Sequence, residues 1–122
     1  MARGTCALEL DLGAIIASSP VVRPAPEFST HPVAKEDFVM IVGPGVTAAE
    51  VEQVIRTSAG ALLESLRLFD VYQGPQIPEG CRSLAFSLHL RAPDRTLSAS
   101  EIASVREAVI ARTSADLGAK LR

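Results

Sequence analysis

Apolar and polar residues alternate with a period of two along residues 66–72 and again along 83–91. Successive side chains of a strand point to opposite faces, so this pattern predicts two antiparallel strands. The segment between them is rich in Gly and Pro. It is too long for a two-residue turn, and Pro75 and Pro78 stiffen it. In the second run Leu84, Phe86, Leu88 and Leu90 share one face, and Ser83, Ala85, Ser87, His89 and Arg91 share the other. The first is a core face; the second is small, polar and basic. In the first run Phe69 and Val71 are assigned to the core side, and Leu68, Asp70 and Tyr72 to the opposite side. Pairing the strands then puts Asp70 and Tyr72 on one open face with Ser83 and Ser87, a surface suited to something flat.

The rest of the chain supplies elements to cover the core face. Phe38–Val42 is a compact β-rich run read as a buried strand, ended by Gly43-Pro44-Gly45. A lone Gly-x-Gly without Lys is a weak phosphate signal and reads as a strand-to-helix turn. Thr47-Ala48-Ala49-Glu50 and Ser98-Ala99-Ser100-Glu101 are capping boxes, in which hydroxyl and carboxylate each satisfy a free backbone amide. Val51, Val54, Ile55 and Leu62 follow the first at helical spacing, with an end expected near Gly60. Ile102, Val105 and Val109 follow the second, to Thr113 or slightly beyond. A last strand is expected within 116–122. The order strand, helix, strand, strand, helix, strand is the split βαβ plan. It predicts an α+β, ferredoxin-like βαββαβ sandwich: a four-stranded antiparallel sheet with two helices on one face.

The first residues read differently. Ala7–Leu12 alternates like a strand and 13–17 is a short apolar patch, too little for a core. Pro20, Pro24, Pro26 and Pro32 mark an extended linker. The division expected is an arm and linker over 1–25 and a domain over 26–122.

Composition narrows the function. The 122 residues suffice for one core, and 48% apolar with 21% charged residues is ordinary for a globular domain. A net charge of −2 argues against a strong non-specific nucleic-acid binder, which needs many Lys and Arg contacts to phosphate. Arg82, Arg91 and Arg95 nonetheless gather around the second alternating run. Cys6 and Cys81 have no metal-ligand spacing and read as reduced thiols. No secretory signal is visible, since Glu9 and Asp11 interrupt the early apolar stretch, and no run approaches the ~20 apolar residues of a membrane span. There is no nucleophile–base pair and no Walker loop.

Several segments carry a family resemblance. Phe69-Asp70-Val71-Tyr72-Gln73-Gly74, Ile77-Pro78-Glu79-Gly80, Arg82-Ser83-Leu84-Ala85-Phe86, Arg95-Thr96-Leu97 and Leu121-Arg122 occur in this order and at these separations. Residues from about Pro26 to Arg122 thereby resemble the ferredoxin-fold anticodon-binding domain that closes the β subunit of bacterial phenylalanyl-tRNA synthetases. Residues 7–16 resemble the tail of the domain before it, so the chain is expected to be a piece of a longer polypeptide.

The resemblance implies binding of the anticodon stem-loop of phenylalanine tRNA, with the first anticodon base stacked on Tyr72 beside Asp70 and Ser83. A tyrosine offers a π face, a carboxylate accepts from guanine N–H groups, and a hydroxyl does either. The RNA-binding set expected is Tyr72, Asp70, Ser83, Arg82, Ala85, Ser87, His89 and Arg91. The resemblance also implies a cytoplasmic ligase whose catalytic part, outside this chain, uses ATP and Mg. Its partners would be the rest of the β subunit and an α subunit, in a heterotetramer, with no membrane. No catalytic residue, metal or cofactor is expected in this fragment. One departure stands out: the family usually has Arg before the Asp of the first strand, where this chain has Glu36-Asp37. That reversal either weakens RNA binding or rewires a structural ion pair.

Read alone, Tyr72 also fits an ordinary strand tyrosine, Asp70 a structural partner of Arg82 or Arg91, and His89 and His31 surface and linker positions. Acylphosphatases share the plan but use an Asn, which this sequence lacks. An RNA-recognition motif would need paired aromatics on the strand that here offers Phe86. A free-standing small-molecule regulatory or interaction module on the same fold is the alternative.

Overall fold

A computed structural model describes residues 4–25 and 29–122. The elements are α1 (Leu12–Ser18), β1 (Ala34–Val42), α2 (Ala48–Ala59), β2 (Leu63–Tyr72), β3 (Arg82–Leu90), α3 (Ala99–Leu117) and β4 (Lys120–Leu121). A short 3-10 turn, Gly60–Leu62, joins α2 to β2. The strands form one sheet in the order β2-β3-β1-β4, all neighbours antiparallel. This is the ferredoxin-like plan that the order of elements predicts.

Both capping boxes form. The Thr47 amide donates to Glu50 Oε2 at 2.7 Å and the Glu50 amide to Thr47 Oγ1 at 3.2 Å. At α3 the Ser98 amide donates to Glu101 Oε2 at 2.9 Å, and the Glu101 amide returns to Ser98 Oγ at 3.3 Å. The Ser98 amide is the main reason the Glu101 carboxyl is lowered to about 2; Arg95, 2.6 Å away, adds to it. Helix α2 stops at Gly60 and α3 at Gly118, with φ of 60° and 61° that a side chain would strain.

The core lies between the helices and one sheet face. Phe38, Met40 and Val42 of β1 sit with Leu84, Phe86, Leu88 and Leu90 of β3 against Val51 and Ile55 of α2 and Val109 of α3; all are fully buried. Phe38 and Phe86 are direct cross-strand partners. Strand β4 is short, pairing Leu121 with Met40 and Lys120 with Ile41, and the Arg122 amide donates to the Val39 carbonyl at 2.8 Å.

Two expectations are corrected. First, 7–12 forms no strand. Residues 4–11 carry no regular element apart from a turn at Gly4, and 12–18 is a helix whose N-cap is Asp11, accepting from the Ala14 amide at 3.1 Å. Every residue of that helix is exposed. An alternating run with no neighbouring strand has no ladder to join, while a capped turn satisfies its own amides.

Second, Phe69 is not a core residue. The β2–β3 register runs Leu68↔Phe86 and then Asp70↔Ala85, so Phe69 is the extra residue of a bulge. The bulge reverses the phase. Leu66 and Leu68 pack on the core before it, and Phe69 is left 49% exposed on the opposite side. Val71 returns to the helix side of the register opposite Leu84, but on this edge strand it remains half-exposed.

The domain boundary expected at residue 26 lies outside the described residues. The first described contacts beyond it are at Ser29, whose hydroxyl donates to the Ala92 carbonyl at 3.0 Å.

Candidate functional site

The uncovered sheet face is ordered in cross-strand rows. One row is Tyr72, Ser83, Ile41 and Lys120; the next holds Asp70, Ala85 and Val39. A third holds Arg67, Ser87 and Asp37, and a fourth Ser65, His89 and Lys35. Six of the eight sequence-expected residues (Tyr72, Asp70, Ser83, Ala85, Ser87 and His89) therefore share this face.

Tyr72 is held from two sides. Its ring lies so close to Gly74 that a Cβ there would overlap the hydroxyl and reach 2.6 Å from Cζ. The Arg122 guanidinium sits 6.0 Å from the ring centroid and donates to Gln76 Oε1 at 3.1 Å. Asp70 is exposed, and among the described residues no cation pairs with it. Ser83 is more enclosed than alternation alone implies, at 4% exposure between its row neighbours Tyr72 and Ile41.

Arg82 and Arg91 are elsewhere. Arg82 pairs with the buried Val42, on the helix side, and donates to the Val46 carbonyl at 2.6 Å. It anchors the loop between β1 and α2. Arg91 donates to the Ser29 carbonyl at 2.6 Å, with Nε 3.4 Å from Glu64. It ties the segment before β1 to the end of β3. Both cations are thus committed within the chain, and neither neutralises Asp70. Glu36 is likewise on the helix side, paired with Leu88, and accepts from Arg106 Nη1 at 2.6 Å. Arg106 also lies 5.2 Å from the centre of the Phe38 ring. The Glu36 reversal is an ion pair between β1 and α3, on the face away from Tyr72.

Sequence reasoning missed half of the open face. Lys35, Asp37, Arg67 and Phe69 join Ser87 and His89 around a shallow hollow of ≈ 620 Å³. The signal was the pair Leu68-Phe69: two adjacent apolar residues in an alternating run force one out of phase. Among the described residues no cluster of His, Cys, Asp and Glu could hold a metal, and no helix is long and apolar enough to cross a membrane.

The geometry defines a class: ferredoxin-like α+β domains with one sheet face under helices and the other free for contact. The chain belongs to the ferredoxin-fold anticodon binding domain family, whose profile matches residues 29–122. Its relatives include the phenylalanine–tRNA ligase beta subunits of Thermobifida fusca (48% identical over 118 residues, 97% of this chain), Cutibacterium acnes (46% over 118 residues, 97%) and Mycolicibacterium paratuberculosis (46% over 122 residues, 98%). The chain spans 14% of the length of each of these relatives.

Proposed function

We propose that this chain is the anticodon-binding module of a phenylalanine–tRNA ligase β subunit and that its open sheet face receives the anticodon loop of phenylalanine tRNA. The first anticodon base stacks on Tyr72, and Asp70 accepts from its N–H edge. The observation that carries this reading is the juxtaposition of Tyr72, Asp70 and Ser83 in adjacent rows of an uncovered sheet. Arg122 adds positive charge beside the ring, where a phosphate or a base carbonyl would approach. A net charge of −2 fits a module that contributes base contacts more than phosphate affinity.

The chemistry of aminoacylation, with its ATP and magnesium, belongs to parts of the enzyme outside this chain. The α1 arm, exposing Leu8, Leu10 and Ile16, packs on the remainder of the β subunit, which assembles with α subunits in the cytoplasm. The fold also suits a free-standing regulatory module, but relatives in which it is a small part of a ligase subunit favour the first reading.

The test is aminoacylation by the assembled ligase. Stacking is worth ~1–3 kcal/mol per base, so Tyr72→Ala should lower kcat/KM for the tRNA by about 5- to 150-fold and leave amino-acid activation intact. Asp70→Ala should blunt discrimination against a changed first anticodon base. Unaltered rates and unaltered anticodon preference with Tyr72→Ala would overturn the assignment.

A further inference from the structure

The open face carries a second exposed aromatic that the reading above does not use. Phe69 is the extra residue of the β2 bulge, and half of it faces solvent. A bulge re-aims a side chain, and such devices concentrate at functional sites. Here it turns a phenyl ring from the phase of the core to the wall of the ≈ 620 Å³ hollow, a volume within the range of small-ligand sites.

The hollow's other walls are polar, with basic residues outnumbering acidic ones. Lys35, Arg67 and His89 stand against a single acid, Asp37, in a chain whose net charge is −2. Among the described residues neither Lys35 nor Arg67 belongs to an ion pair, whereas Arg56, Arg91, Arg95, Arg106 and Arg112 do. A ring with unpaired cations beside it matches the chemistry of a nucleotide, an apolar flat base joined to a phosphate.

Position agrees. Phe69 and Tyr72 are three residues apart on one strand, so at a rise of ~3.3 Å per residue their origins lie roughly 10 Å apart. Aromatics exposed on one open sheet face stack two or three bases in RNA-recognition sheets.

We propose that the hollow is a second nucleotide subsite: a loop base other than the one on Tyr72 stacks on Phe69, with its phosphate between Lys35 and Arg67. This rests on the anticodon reading and extends it from one base to two. It also assigns Asp37 and Ser87 to the edge of the second base.

The test is binding of this chain to a short RNA hairpin carrying the phenylalanine anticodon loop, and to hairpins with each loop base removed in turn. Phe69→Ala should weaken binding about 5-fold or more, and Phe69→Tyr should restore it. Phe69→Leu keeps the apolar bulk but should bind like Phe69→Ala. Removing one particular loop base should abolish the effect of Phe69→Ala and preserve that of Tyr72→Ala. Lys35→Gln and Arg67→Gln combined should lower the salt slope by about one phosphate contact. If Tyr72→Ala weakens binding but Phe69→Ala does not, or Phe69→Leu binds like the parent chain, the second subsite is wrong and the anticodon reading survives. If the hairpin fails to bind, or neither substitution matters, both fall together.

Discussion

Two faces of the same strands make the most instructive contrast in this molecule. On the helix side of β1 and β3, Phe38, Met40, Leu84, Phe86 and Leu88 are closed off from solvent and touch one another through the core. One residue along, on the other side, stand Lys35, Asp37, Ser87 and His89, with no element over them among the described residues. The backbone is shared, so a change on one face need not be felt on the other. The covered face carries the stability of the fold. The open face can hold polar and aromatic groups in fixed rows at little cost to it. Rigid strands position such groups more closely than loops do.

The largest effect should come from the covered face. Phe86→Ala removes a fully buried ring opposite Phe38 and should cost ~3–5 kcal/mol by chemical denaturation. Phe69→Ala, on a ring already half in solvent, should cost no more than about 1–1.5 kcal/mol. Equal losses would erase the contrast between the faces.

The helix caps come next, since they hold the cover in place. Ser98→Ala should destabilise by about 1 kcal/mol. The Glu101 carboxyl is lowered from 4.5 to about 2, first by the Ser98 amide and then by Arg95. A lowered carboxyl stabilises the fold fully above its unfolded pKa and loses that contribution as pH falls through the folded one. Stability should therefore decline between about pH 4.5 and pH 2, and Glu101→Gln should flatten that part of the profile. A profile unaltered by Glu101→Gln would mean that the Glu101 carboxyl is not lowered on folding.

The smallest effect on stability should come from Gly74→Ala. The new Cβ meets the far end of the Tyr72 side chain, which can swing aside. The denaturation midpoint should barely move, while hairpin affinity falls as the ring leaves its place. An unchanged affinity would show that the ring's position does not matter.

Much of this was legible in the chain itself. β3 is central, so its alternation is strict and its phase was read correctly from Leu84 to Leu90. The capping boxes are local chemistry and form as the sequence predicts, as does the stop at Gly60; the last helix runs past Thr113 to Leu117, where Gly118 ends it. β2 was harder because it is an edge strand with a bulge. The apolar pair Leu68-Phe69 admits two phases, and only the pairing with Phe86 and Ala85 decides between them. Arg82 and Arg91 look like site residues because one opens β3 and the other follows it, but their partners, Val46 and Ser29, are far away in sequence. The arm misled for the opposite reason: alternation at Leu8, Leu10 and Leu12 is a pattern without a neighbouring strand to use it.

The most direct test of the account is to titrate isotopically labelled chain with the phenylalanine anticodon hairpin and map the perturbed backbone amide signals. The open face as RNA site predicts that the largest shifts fall on Asp70, Tyr72, Ala85 and Ser87. The solvent-facing surfaces of α2 and α3 should stay silent. Shifts confined to the helices, with Tyr72 and Ala85 unmoved, would contradict it.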